Sequence, residues 1–191
     1  MSYLDQVRRG KIRSFGHAVR DLFGKKESSA AVRWYMKKIS ELEVTGSKFL
    51  AAESKRKTSQ FQVGDMYFYR YQAKHADDLP YWDAYPLIFP FNTYPNGFIG
   101  INFHYLHPMA RAKLLDALVK VGKRRDKMML SWQILKGASQ LKLVEPCVKR
   151  YLYSQVRSPM IKIEKDDWLP AALMPLQSFQ KQSAEYVWSQ A

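Results

Sequence analysis

The uneven distribution of charge and aromatic side chains along the sequence most constrains how this chain can fold. Residues 61–110 hold 14 of the 27 aromatic side chains and have a net charge of −2, whereas the segments before and after each have +8. An aromatic segment of low charge can supply a buried core, and strongly basic segments stay in contact with solvent. We therefore expect a core domain over 61–191 and a basic helical N-terminal arm with a linker over 1–60.

The central segment predicts a small antiparallel sheet. Aromatic and β-branched residues indicate strands at 66–71, 85–91 and 98–103, and Tyr94-Pro95-Asn96-Gly97 is a strong turn between the last two. A small, strongly bent sheet of the SH3-like barrel type is one candidate. Apolar residues at three- and four-residue steps predict helices around it, so the fold class is α+β.

The remaining predictions cover both flanks of this sheet. Helices are predicted at 2–24, from 28 or 29 to 42, and at 108–121, 128–136, 146–155 and 178–189; further strands are predicted at 160–164 and 168–176. Residues 51–60 are rich in Ser, Lys and Thr, which predicts a loop or linker.

Basic clusters are the strongest functional feature. The net charge of +14 attracts polyanions, and Lys and Arg bind the phosphates of nucleic acid without reading its sequence. The candidate DNA-binding residues are Arg8, Arg9, Lys11 and Arg13; Lys55, Arg56 and Lys57; Lys123, Arg124, Arg125 and Lys127; and Lys149 and Arg150, to which Arg157 adds. The alternatives are a solvated surface or a basic patch that meets an acidic protein.

The aromatic centre is interpreted as core together with a protein interface. The candidate interface residues are Tyr67, Tyr69, Tyr81, Trp82 and Tyr85. Tyrosines on strands can also stack single-stranded bases, but the −2 charge of this segment repels a phosphate backbone. We expect packing or protein binding here.

No residue pattern predicts catalysis, a metal or a cofactor. His104 and His107 lie three residues apart, but they precede Pro108 without a neighbouring Cys or acidic ligand, so a hydrogen-bonded histidine is expected. Asp77 and Asp78 read as a turn, and Cys147 reads as a small buried hydrophobic residue. A nuclease built on Asp65, Asp77, Asp78 and Asp83 is the less favoured alternative.

Membrane attachment is also disfavoured. No apolar run reaches the roughly 18 residues of a membrane span, and the charged N-terminus lacks the apolar block of a secretory signal. A basic amphipathic N-terminal segment can lie on an anionic membrane, but its apolar stripe is modest. We predict neither a membrane partner nor a small-molecule substrate.

Several motifs carry a resemblance to a phage family. They are 64–69 (GDMYFY), 79–87 (LPYWDAYPL), 97–106 (GFIGINFHYL), 111–116 (RAKLLD), 146–149 (PCVK) and 164–168 (EKDDW). Over about residues 60–191 the chain resembles small virion proteins of T-even-type myovirus bacteriophages, in particular the DNA-end protector family.

The resemblance implies a non-enzymatic role. A basic protein would cap the ends of the packaged duplex genome and block host exonucleases sterically. Its partners would be duplex DNA ends and other virion proteins, and it would be found in the virion and, during assembly, in the host cytoplasm. The alternative is a structural subunit of the phage neck, tail or baseplate that acts through protein interfaces.

Overall fold

A computed structural model describes residues 2–8, 37, 43–59, 61–121, 133, 137 and 144–190. Eight strands are found in these residues: β1 (Lys57–Thr58), β2 (Met66–Phe68), β3 (Trp82–Asp83), β4 (Leu87–Tyr94), β5 (Gly97–Asn102), β6 (Val148–Leu152), β7 (Met160–Ile163) and β8 (Phe179–Gln180). Six of them form one sheet in the order β1-β7-β2-β4-β5-β6, and β3 pairs with β8. Every pairing is antiparallel.

The helices in the described residues are α1 (Tyr3–Arg8), α2 (Gly46–Ala52), α3 (Pro108–Val121), α4 (Trp168–Leu173) and α5 (Ala184–Ser189). The Thr45 hydroxyl accepts the N–H of Lys48 and caps α2, and the Ser183 hydroxyl accepts the N–H of Tyr186 and caps α5. Pro108 is the first residue of α3, a position where the missing backbone N–H of proline removes no intrahelical hydrogen bond. The prediction of helix 108–121 is confirmed.

The sheet separates two hydrophobic clusters. Because side chains alternate along a strand, Met66 and Phe68 face one cluster while Tyr67 faces the other. The larger cluster also contains Phe49, Phe89, Leu115 and Ala171, and the smaller one contains Tyr69, Ile88, Phe98 and Tyr151. Both faces of the sheet are therefore covered around β2, which is buried along its whole length.

The sheet has edges at β1 and β6. The α+β class is confirmed, but the described residues form an open sheet and not a closed SH3-like barrel. The predicted turn is confirmed, because it joins β4 and β5, where Tyr94 pairs with Gly97. A bulge between Pro90 and Asn92 interrupts the register of this hairpin.

Three local predictions are wrong. Residues 146–155 contain strand β6, because these residues pair with β5 from Gly97↔Leu152 to Ile101↔Val148. Residues 168–176 contain helix α4, whose Ala171 and Ala172 are fully buried. The final helix begins at Ala184, because Phe179–Gln180 pairs with β3.

The linker prediction for 51–60 is also wrong. These residues include the end of α2, a 3₁₀ helix at Ser54–Arg56 and strand β1, which pairs with β7. Leu4 of α1 and Phe49 of α2 are fully buried in the larger cluster, so the described parts of the predicted arm pack on the core. Most of the helices predicted at 2–24, 28–42 and 128–136 lie outside the described residues.

Candidate nucleic-acid interface

Two of the four predicted basic clusters fall largely outside the described residues. Arg9, Lys11, Arg13 and all of Lys123, Arg124, Arg125 and Lys127 belong to this group. Arg8 ends helix α1. The DNA-binding role of these residues stays a prediction.

The three residues of the second cluster, 55–57, differ in their exposure to solvent. Lys55 and Lys57 are exposed. Arg56 points inward and forms ion pairs with Asp167 (Nη1 to Oδ2, 2.8 Å), Glu53 (Nε to Oε2, 3.0 Å) and Asp5 (Nη2 to Oδ1, 3.5 Å). Its side chain is 19% exposed. Because these carboxylates neutralise Arg56, we remove it from the candidate DNA-binding residues.

Glu53 connects the Arg56 contacts to the N-terminus. Its carboxylate is buried and accepts hydrogen bonds from the Ser2 hydroxyl (2.7 Å) and from the Leu4 backbone N–H (3.1 Å). Arg56 therefore helps to hold α1 against the domain.

The fourth cluster lies on strand β6, and the alternation of side chains sends its two members to opposite faces of the sheet. Lys149 is half-buried with its Nζ 4.3 Å from the centre of the Tyr105 ring, and burial lowers its pKa. Arg150 is exposed, donates to Asn96 Oδ1 at 3.2 Å and lies 5.5 Å from the centre of the Tyr94 ring. Of the two, Arg150 is the better placed to contact a ligand.

Two further arginines lie close to each other. The backbone N–H of Arg157 donates to the carbonyl of Arg70 at 2.8 Å. Arg157 also donates from its guanidinium to Ser154 O (2.8 Å) and Gln155 Oε1 (3.1 Å). Both arginines are exposed, and within the described part of the chain neither Arg70, Arg150 nor Arg157 forms an ion pair. Since their hydrogen-bond acceptors are neutral, the positive charges are not cancelled.

Hydrogen bonds and one ring contact bring the segments that carry these three arginines and two exposed tyrosines close together. The Tyr153 N–H donates to Asn96 O at 3.1 Å, which connects the end of β6 to the turn after Tyr94. We call this the arginine–tyrosine edge and define it as Arg70, Tyr94, Arg150, Tyr153 and Arg157. Sequence reasoning included Arg150 and grouped Arg157 with it, but it missed Arg70. Arg70 belongs to the segment of net charge −2, and no local pattern pairs it with residues 157–158.

The predicted protein interface is not assembled as one exposed surface. Tyr67 and Tyr69 are 0% exposed, so these two belong to the core and their assignment to an interface is wrong. Tyr81 and Tyr85 are half-buried and pack against Tyr105 and Phe68. Trp82 is half-buried against the smaller cluster. A role of Tyr81, Trp82 and Tyr85 in binding protein stays a prediction.

The Asp83–His104 pair is the main buried polar group that resembles part of a catalytic site. His104 Nδ1 lies 2.7 Å from Asp83 Oδ2, and both side chains are at most 1% exposed. Among the described residues, no hydroxyl or thiol bonds to the other ring nitrogen, so the nucleophile of a triad is missing. The expectation of a hydrogen-bonded His104 at the strand–helix junction is confirmed.

The Cys147 thiol and groups of metal-ligating side chains are the other features relevant to catalysis. Cys147 is buried as expected, and burial raises the pKa of its thiol to about 12, which makes it a poor nucleophile. The residues that the structure describes contain no group of three or more His, Cys, Asp or Glu side chains arranged to hold a metal ion. Among the same residues, no helix combines the length and apolar character needed to cross a membrane.

The sequence matches a known protein family. A family model described as "Phage T4 terminal DNA protecting protein" matches residues 10–191. Searches of curated proteins and of solved structures found no significant match. The family match extends N-terminally beyond the region of about 60–191 on which the sequence resemblance rests.

Proposed function

The chain belongs to the phage T4 terminal DNA protecting protein family, and on this basis we propose that it binds the ends of a duplex phage genome and blocks exonucleases sterically. The family match over residues 10–191 carries this proposal. The net charge of +14 supports it, because a basic surface binds phosphates and releases their counterions.

The arginine–tyrosine edge is the described surface that best fits this role. Its three guanidinium groups are exposed, carry uncancelled charge and are well suited to phosphate oxygens, which they can bind through two parallel hydrogen bonds. Lys55 and Lys57 add exposed charge elsewhere. The mechanism is non-enzymatic, since occupation of the end is sufficient to prevent an exonuclease from loading.

The proposed setting follows from the same family membership. As a phage protein, the chain acts in the virion or in the infected host cell. We place it on the packaged genome in the virion, next to other virion proteins, and in the host cytoplasm during assembly. The family description names terminal DNA and no neck, tail or baseplate, so we do not propose a structural subunit of those assemblies.

A competition experiment tests the proposal. Purified protein is mixed with a labelled linear duplex, and the unlabelled competitor is either the same linear DNA or the same sequence as a closed circle, at low and at moderate salt. In parallel, digestion of the linear duplex by an exonuclease is followed with and without protein. We expect preferential binding to the linear form at both salt concentrations, together with slower digestion.

Charge-matched variants assign the binding to a surface. Arg70→Gln, Arg150→Gln and Arg157→Gln are combined in one variant, and Lys48→Gln, Lys74→Gln and Lys113→Gln, all exposed, form the control. The first set should weaken binding more and reduce its salt dependence. Equal binding to linear and circular DNA, or no binding at low salt, would contradict end protection by this chain.

A further inference from the structure

A protein that binds DNA ends, as proposed above, needs a contact that distinguishes an end from the duplex interior. The inference about this contact rests on the proposed function. Phosphates repeat along the whole duplex, so contacts from Lys and Arg do not separate an end from the middle. An end alone presents the flat face of its last base pair, which in the interior is covered by the next pair. Aromatic side chains stack on such a face whatever the base is.

Few large apolar side chains are exposed in the part of the chain that the structure describes. They are Leu79 (37%), Tyr94 (38%), Tyr153 (40%) and Tyr186 (46%). Two of the three tyrosines adjoin arginines of uncancelled charge. Tyr94 lies 5.5 Å from the Arg150 guanidinium, and Tyr153 is next to Ser154, whose carbonyl accepts a bond from Arg157. Tyr186 lies on helix α5 and packs against Tyr81, and no arginine contact is found for its ring among the described residues.

Both tyrosines of the edge are supported by surrounding contacts. The Tyr153 ring packs on Phe98 at 5.6 Å and on Phe61 at 6.3 Å between ring centres. The Tyr94 hydroxyl accepts a hydrogen bond from Asn92 Nδ2 at 3.1 Å. A ring that is already held in place loses less side-chain entropy when it stacks on a ligand.

We infer that Tyr94 and Tyr153 stack on the exposed terminal bases of a duplex end while Arg70, Arg150 and Arg157 hold the adjacent phosphates. The arginines supply affinity for any duplex, and the tyrosines supply the preference for an end. Removing an aromatic ring therefore lowers the linear-over-circular preference, and removing a guanidinium lowers binding to both forms.

The test compares Tyr94→Ala and Tyr153→Ala with Tyr94→Phe, Tyr153→Phe and the control Tyr186→Ala. Each variant is measured in the linear-against-circular competition at moderate salt, and its folding is checked by circular dichroism. We expect each edge alanine to lower the end preference by about tenfold, in line with the effect of losing one stacking aromatic. The phenylalanine variants and Tyr186→Ala should keep the end preference of the unsubstituted protein.

A second readout reports stacking directly and needs no variant. Duplexes carry the fluorescent base 2-aminopurine either in the terminal pair or in the middle. We expect the protein to quench the terminal probe and to leave the internal probe nearly unchanged, with quenching kept in the Phe variants.

The outcomes separate the two proposals. Suppose that the unsubstituted protein prefers ends and that Tyr94→Ala and Tyr153→Ala keep the same end preference, or that the terminal probe is not quenched. Either result overturns stacking by these tyrosines and leaves end protection in place. If the unsubstituted protein has no end preference, both proposals fall.

Discussion

Asp83 and His104 are joined by a 2.7 Å hydrogen bond enclosed within the fold. Burial lowers the pKa of His104, and the neighbouring Asp83 opposes this shift without reversing it. Burial alone would raise the pKa of Asp83, but His104, the Ser178 N–H and Asn102 outweigh it and leave that pKa below its usual value. At neutral pH the pair is therefore a neutral imidazole that donates to a carboxylate.

The pair predicts how stability changes with pH. As the pH falls below 6.5, the ordinary pKa of His, the unfolded chain takes up a proton at His104 that the folded chain does not. The free energy of unfolding should therefore decrease with falling pH. Near and below 3.8, the ordinary pKa of Asp, the contribution of Asp83 is lost in turn. Urea unfolding at stepped pH values measures both effects.

The control for this pH dependence exchanges histidines one at a time. His104→Asn should flatten the decrease that begins near pH 6.5. His75→Asn should leave the decrease in place, because the His75 side chain is 67% exposed. Identical pH profiles for the unsubstituted protein and His104→Asn would show that His104 is not its source.

Asp83→Asn should destabilise the fold by about 3 kcal/mol, because it leaves buried donors without an acceptor. Asp83 Oδ1 accepts the N–H groups of Tyr85 and Ser178, each at 3.1 Å, and Oδ2 accepts bonds from His104 and Asn102. One amide oxygen cannot replace both carboxylate oxygens. Asp78→Asn, at a side chain that is 84% exposed, is the control in urea unfolding. A loss no larger than that of the control would contradict this assignment.

Arg111 holds together backbone carbonyls from separate parts of the fold. It is 1% exposed and donates to Leu106 O (2.8 Å), Ala172 O (2.7 Å) and His104 O (3.1 Å). A lysine ammonium lacks the planar fork that reaches all three carbonyls. We expect Arg111→Lys to lower the free energy of unfolding by about 3 kcal/mol, measured by urea unfolding. The exposed Lys113→Arg serves as the control and should change stability little.

Local periodicity was sufficient for parts of this fold and insufficient for others. Helix α3 could be predicted because its apolar residues recur at helical steps behind Pro108, and the turn after Tyr94 because its residues favour a turn. Local sequence does not predict strand β6, because its conformation depends on pairing with β5, about 50 residues earlier in the chain. Local sequence predicts a strand in place of helix α4, because every residue of this helix is buried and the amphipathic pattern is therefore absent.

The candidate interface was limited by the same long-range dependence. Sequence does not distinguish Arg56 from Lys55 and Lys57, because the carboxylate closest to its guanidinium belongs to Asp167, 111 residues away. Arg70 joins the edge because its carbonyl accepts the Arg157 N–H and its own N–H donates to the Ser158 hydroxyl. Sequence identified basic residues, and packing decided which of the described ones remain available.

The division within residues 55–57 can be tested by comparing stability with DNA binding. Arg56→Gln should cost about 3 kcal/mol, because Glu53 and Asp167 would keep buried charges without this partner. Where the variant remains folded, its DNA affinity should be close to that of the unsubstituted protein. Lys55→Gln and Lys57→Gln should leave stability within about 0.5 kcal/mol and weaken DNA binding slightly. A strong loss of affinity in folded Arg56→Gln would return Arg56 to the DNA-binding set.

Gly97 allows β5 to approach β6 closely enough to form the arginine–tyrosine edge. A Cβ at this position would lie 2.0 Å from the Tyr151 carbonyl oxygen and 3.1 Å from the Leu152 Cα, and both are backbone atoms. Gly97→Ala must therefore push the strands apart, and we expect a loss of about 3 kcal/mol in urea unfolding. The displacement would also move Arg150 and Tyr153, so the preference for linear DNA should fall even under conditions where the variant stays folded.

Gly137→Ala is the matched control for Gly97→Ala, because no residue that the structure describes lies within 4 Å of the added Cβ. It should leave end preference unchanged and keep or slightly raise stability, since Gly137 is helical and alanine favours a helix more than glycine does. Equal stability and equal end preference in the two variants would show that close packing at Gly97 does not support the edge.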